Sequence, residues 1–183
     1  MKQDCPMFED LSEILINEEQ IKTTVKDLGA RITRDYSGKN PLLICILKGS
    51  SVFFTDLIRE IDLPLDIDFM AISSYGPNTV SGEVRLVKDL DTSIEGRNVL
   101  IVEDIVDSGR TLAYLKRVLN NRGAKSIRII SLLDKPSRRT VPLDVDYTGF
   151  EIPDAFVVGY GLDYNEKYRN LPVIGVLDTK IYS

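Results

Sequence analysis

Glu103, Asp104 and Asp107 lie within five positions of one another in the stretch VLIVEDIVDSGRTLAYLKRVL, at the end of a wholly apolar run and just before an amphipathic one. Like charges this close repel, and burying carboxylates without partners is costly. A group from outside the chain is therefore expected to balance them. Asp107-Ser108-Gly109-Arg110-Thr111 spans the turn into the following helix, where free backbone N–H groups and the helix dipole favour an anion. Gly109 allows close backbone approach, and the hydroxyls of Ser108 and Thr111 add donors, so the turn reads as a phosphate cradle. Glu103 and Asp104 are acceptors suited to sugar hydroxyls or to a hydrated Mg²⁺. The chain contains neither GxxxxGK[ST] nor GxGxxG, which removes the Walker A and dinucleotide-binding loops.

Composition narrows the chemistry further. Histidine is absent, which excludes Ser-His-Asp, Cys-His and histidine–metal sites. Acid–base work falls to carboxylates, lysine, tyrosine or water. A net charge of −5 argues against a nucleic-acid surface. The two cysteines, Cys5 and Cys45, make no disulfide framework and fit a reducing cytosol, so a cytoplasmic protein is expected. The N-terminus is too acidic and polar for a signal peptide, and no apolar run approaches a membrane span.

The elements that must position these residues follow from periodicity. Ile21, Val25, Leu28 and Ile32 share a helical face behind Asn17 as N-cap. PLLICIL reads as a buried strand, followed by a helix starting at Ser50 or Ser51. LPLDIDFMAISSY and EVRLVKDL alternate as strands on either side of the loop GPNTVSGE. NVLIVEDIV is an apolar strand, the helix after it is stopped by Gly123, and SIRIISLLDK is another buried strand. Strand and helix in alternation, with nearly all-apolar strands, imply an α/β fold: a central, mainly parallel sheet with helices on both faces. Ligands in such sheets lie beyond the carboxyl ends of the strands, where Lys48-Gly49, residues 103 to 108 and Lys135 fall. The whole chain, 1–183, reads as one domain.

VLIVEDIVDSGRTL resembles the phosphoribosyl-pyrophosphate (PRPP) motif of the type I phosphoribosyltransferases. ILKGS and ISSYG are similar to that family's pyrophosphate loop and mobile active-site loop. LLDK and FEIPDAFVVGYGLDYNEKYRNLP resemble the purine-binding and C-terminal parts of its hypoxanthine-guanine branch. The resemblance covers about residues 40–178. It implies the type I phosphoribosyltransferase fold, a small hood from the terminal segments, and a mobile loop at about 73–87. The implied reaction, with Mg²⁺, converts PRPP and a 6-oxopurine to the nucleoside monophosphate and pyrophosphate.

Carried onto this chain, the resemblance sets Glu103 and Asp104 at the ribose hydroxyls and residues Asp107, Ser108, Gly109, Arg110 and Thr111 at the 5′-phosphate. Asp107 becomes the general base or proton relay at purine N7. Lys48, Gly49 and Arg169 contact pyrophosphate, and Ser74 and Tyr75 close over the site. Lys135 donates to O6, Phe156 stacks on the base, and Val157 uses backbone groups on its edge. Glu103, Asp104 and Asp163 are the metal-side carboxylates, Asp163 through water. The resemblance also implies a non-proline cis peptide at Leu47-Lys48 and a homodimer or homotetramer.

Each assignment has a plainer rival. Lys48 could be a solvated strand end, Lys135 a surface lysine, Phe156 core, and Asp163 with Arg169 a surface ion pair. Tyr160, Tyr164 and Tyr168 read as structural, and Arg138-Arg139 as a solvated face. At the level of the whole protein, a PRPP-sensing transcriptional regulator should carry a basic DNA-binding segment, which this acidic chain lacks. An enzyme of the same fold acting on adenine, xanthine or a pyrimidine is the other alternative.

Overall fold

The computed structural model describes residues 5–74 and 84–182. Its main sheet contains β2 (Leu42–Leu47), β3 (Asp66–Ser74), β4 (Val84–Lys88), β5 (Asn98–Val106), β6 (Ser126–Asp134) and β7 (Tyr147–Glu151), in the spatial order β4-β3-β2-β5-β6-β7. Every pair is parallel except β3–β4, an antiparallel edge. The helices are α1 (Glu18–Asp35), α2 (Ser51–Arg59) and α3 (Arg110–Asn121).

The apolar strands owe their lack of alternation to burial on both faces. Leu43, Cys45, Leu100, Val102, Ile130 and Leu132 pack against Ile21, Val25, Leu28 and Ile32 of α1 and against Phe53, Phe54 and Leu57 of α2. The intervening residues, Leu42, Ile44, Ile46, Val99, Ile101 and Ile129, pack on the other face against Leu112, Leu115 and Leu119 of α3. Asn17 caps α1 as expected: its Oδ1 accepts from Gln20 N at 2.9 Å while Gln20 Oε1 accepts from Asn17 N at 2.9 Å. Gly123, with φ +78°, lies just beyond the end of α3.

The second helix starts where expected, with Ser50 as the N-cap residue of α2 and Ser51 its first residue, and the Ser50 hydroxyl donates to Ile46 O. Two features depart from the sequence reading. The stretch before α1 contains β1 (Leu11–Ile16), which pairs antiparallel with β9 (Ile174–Leu177), itself paired with β8 (Val157–Val158). This three-stranded sheet joins the two ends of the chain and forms the expected hood. The strand went unread because its partner lies over 150 residues away and its burial is confined to its last residues. The range 73–87 is also not all loop, since Ser74 pairs with Val84 and Ser73 with Arg85. Tyr75 and the rest of 75–83 lie outside the described residues, and for Ser74 only the backbone placement is described.

Candidate active site

β2, β5 and β6 are adjacent and parallel, so their carboxyl ends emerge side by side. The first residue after each is Lys48, Asp107 and Lys135 in turn. The chain moves outward from β2 in one direction and from β5 in the other, so these ends flank the switch point where open α/β sheets take ligands.

Gly109 has φ +80° and serves as the N-cap of α3 with no side-chain cap. A left-handed residue there suits glycine, and it leaves the first N–H groups of the helix to a ligand. Arg110 N reaches only Ser108 Oγ, at 3.4 Å. Glu103, Asp107, Ser108, Gly109 and Thr111 line a cavity of about 100 Å³. Two arginines hold this turn from outside. Arg139 donates to Asp107 O at 2.7 Å and pairs with Asp134, while Arg138 Nε meets Asp107 Oδ1 at 3.2 Å and Nη1 meets Asp154 at 3.4 Å. The reading of Arg138-Arg139 as a solvated face holds for Arg138, whose side chain stays 53% exposed, and fails for Arg139, which is 17% exposed and paired with Asp134. Their signal in the sequence was position alone, in the turn that follows Lys135.

Glu103 Oε2 is sealed from solvent with no hydrogen-bond partner among the described residues. Burial, and then the neighbouring Asp104 charge, push the Glu103 carboxyl well above the usual range. Burial likewise pushes Asp104 up to about 6, against the opposing bonds from backbone N–H groups. A Cβ at Gly49 would come within 1.8 Å of Asp104 Oδ2, so any larger residue would displace that carboxylate. The peptide Leu47-Lys48 is cis, as the resemblance implied.

The C-terminal segment brings a contrasting cluster. Arg169 Nη2 pairs with Asp163 at 2.8 Å and with Glu166 at 3.3 Å, and Glu166 also pairs with Lys48 at 3.1 Å. Asn165 (φ +51°) and Glu166 (φ +61°) form a tight two-residue turn bridged by Tyr164 and Lys167. Glutamate stands there where glycine would be easier. Sequence reasoning missed Glu166; an acid flanked by Lys48 and Arg169 in space, but not in sequence, leaves no local signal.

On the base side, Lys135 is buried, 7% exposed, and its Nζ donates to Ala155 O at 2.6 Å. It is no surface lysine. Phe156 is 42% exposed and thus not core, whereas Val157 is buried in β8. Tyr160 and Tyr168 are structural, bonded through their hydroxyls to Asp56 and Asp10. Tyr164, by contrast, meets Phe156 edge-on at 5.7 Å. Burial pushes the Cys45 thiol up to about 11, which leaves it unreactive.

No three His, Cys, Asp or Glu side chains converge as a metal cage among the described residues. Mg²⁺ does not need one: it keeps several waters and binds through one or two carboxylates plus substrate phosphates. The unpartnered Glu103 Oε2 and its neighbour Asp104 form a hard-oxygen pair of that kind, with Asp163 a separate donor.

The family described as the phosphoribosyl transferase domain matches residues 12–165. The hypoxanthine-guanine phosphoribosyltransferase of Bacillus subtilis is 57% identical over 177 residues, covering 96% of this chain and 98% of the relative. A protein of Listeria innocua named bifunctional protein TilS/HprT is 53% identical over 97% of this chain, which spans only 28% of that longer relative. A crystal structure of a hypoxanthine phosphoribosyltransferase from Staphylococcus aureus superposes with a TM-score of 0.95 at 50% identity, covering 99% of both chains. With the switch-point cradle, the buried acids and these likenesses in agreement, the chain belongs to the phosphoribosyltransferase family.

Proposed function

We propose that this protein is a purine-salvage enzyme that moves the phosphoribosyl group of PRPP to N9 of hypoxanthine or guanine. The observation that carries the reading is the emergence of Lys48, Asp107 and Lys135 side by side from three adjacent parallel strands. One holds the leaving group, one a proton and one the base.

The 5′-phosphate docks on the N–H groups and hydroxyls of the 107–111 turn, and Glu103 and Asp104 face the ribose hydroxyls. Lys48, the Gly49 backbone and Arg169 receive pyrophosphate, for which Lys48 and Arg169 exchange their contacts with Glu166. Lys135 keeps one N–H on Ala155 O and has two left for O6. Phe156 stacks on the ring, and the backbone of Val157 meets its edge. As N9 bonds to C1′, the bond from C1′ to the pyrophosphate oxygen breaks with its electron pair. Asp107 Oδ takes the proton from N7, and the nearby carboxylates favour the cationic ribose. Magnesium, when bound, supplies charge neutralisation at pyrophosphate, and Glu103, Asp104 and Asp163 are the donors that fit it. Ser74 and Tyr75 belong to the segment assigned to exclude water. The working form is a homodimer or homotetramer.

A spectrophotometric assay of PRPP with hypoxanthine, guanine, xanthine and adenine tests this reading. Nucleotide formation from the first two with little from adenine is expected. Equal use of adenine overturns the base assignment, and inactivity with every base overturns the enzyme assignment.

A further inference from the structure

Phe156 has ring neighbours on two other segments. Phe156 does not stand alone: the ring of Tyr182 lies 5.1 Å from it at an interplanar angle of 33°, and Tyr164 meets it edge-on at 88°. Tyr164 and Tyr182 are themselves 6.1 Å apart. The Tyr182 ring is tilted against Phe156, and Phe156 retains 42% of its surface.

The placement of Tyr182 is built by the backbone. Leu177 N donates to Phe156 O at 2.9 Å, and Asp178 N donates to Asp10 O at 2.8 Å, which ties the chain end to the hood. Asp178 then caps a final single turn, Thr179–Ile181, by accepting from Lys180 N at 3.0 Å, and Tyr182 N closes it on Thr179 O at 3.2 Å. Each of these bonds fixes where Tyr182 meets Phe156.

We propose that Tyr182 is a positioning residue for the purine, backing Phe156 so that base, Phe156 and Tyr182 form a three-ring stack. The inference rests on the assignment of Phe156 as the stacking residue. It makes the Thr179–Tyr182 segment part of the base site without contact to the reacting atoms. Offset aromatic pairs strengthen binding modestly, so the effect falls on base recognition.

The test is steady-state kinetics on Tyr182→Ala, Tyr182→Phe and Phe156→Ala in the full-length protein. Tyr182→Ala should raise KM for hypoxanthine about two- to ten-fold, with kcat and the KM for PRPP nearly unchanged. Tyr182→Phe should restore the native KM, since the ring and not the hydroxyl does the stacking. Phe156→Ala should raise KM further. An unchanged hypoxanthine KM in Tyr182→Ala, with Phe156→Ala impaired, overturns the proposal and leaves the Phe156 assignment standing. A lowered KM also overturns it, by placing Tyr182 where the base goes. A native KM in Phe156→Ala removes the assignment and the proposal together.

Discussion

Two groups of acids meet at this site, and they are neutralised in opposite ways. Glu103 and Asp104 lie near the end of an apolar strand with no cation bonded to either carboxylate among the described residues, and burial pushes both upward. Asp163 and Glu166 sit on an outer turn, paired with Arg169 and Lys48, and the Lys48 and Arg169 bonds hold Glu166 below the usual carboxylate range. The outer group is already ion-paired and, on the proposed function, exchanges partners when substrate binds. In the inner group Asp104 accepts from Ile105 N, whereas Glu103 Oε2 has no partner among the described residues. An energetic deficit maintained in the folded protein marks where a ligand completes the structure.

The largest effect expected lies at the far wall of the inner group, in the choice of base. Lys135 has only donors, so the exocyclic amine of adenine meets an N–H where O6 would accept. Sites built on such a bond reject the mismatched analogue by about 10⁴–10⁵-fold. Lys135→Ala should narrow the ratio of kcat/KM for hypoxanthine over adenine; an unaltered ratio would remove Lys135 from base selection.

Asp107 is held by Arg138 and lines the same cavity as Glu103. Asp107→Asn keeps its shape but cannot take the N7 proton, and kcat should fall about 10²–10⁴-fold with PRPP binding much less affected. Near-native kcat would assign the proton to water.

The inner group makes a prediction about stability. Because Asp104 is raised from an ordinary 3.8 to about 6, the folded protein holds a proton that the unfolded chain has already released between those values. Stability therefore falls as pH rises through this window and stays lowered above it. The cost at neutral pH is roughly 3 kcal/mol at 1.36 kcal/mol per unit. Asp104→Asn retains an acceptor for Ile105 N, which reaches Oδ1 at 2.9 Å. It should therefore stabilise the substrate-free protein in urea unfolding at pH 7.5, with the gain gone near pH 4. A variant no more stable than wild type at pH 7.5 would mean the carboxylate is compensated.

The smallest effect belongs to the outer group. Glu166→Gln frees Lys48 and Arg169 and should lower KM for PRPP a few-fold, with little change in unfolding. A raised KM would show that Glu166 orients those cations instead of competing for them.

How much of this was legible in the sequence depended on distance along the chain. Strands β2, β3, β5 and β6, the three helices and the 107–111 turn were readable because apolar runs, caps and the turn signal are local, whereas the edge strand β7 was not read. The hood strand Leu11–Ile16 was not, since it exists by pairing with Ile174–Leu177. Glu166, Arg138 and Arg139 were missed for the same reason: each acts on a residue brought near by the fold. The burial of Glu103 could be suspected from the strand before it. That its Oε2 has no partner among the described residues could be seen only in the structure.

The central claim is that burial raises the inner carboxyls in the substrate-free protein and that binding of the proposed substrate releases their protons. Calorimetry of magnesium-saturated PRPP binding near pH 6, repeated in buffers of different ionisation enthalpy, counts the protons exchanged. The wild type should release more protons than Asp104→Asn, because the raised carboxyl ionises as the ribose and its cation arrive. Equal proton release by the two proteins would contradict the account.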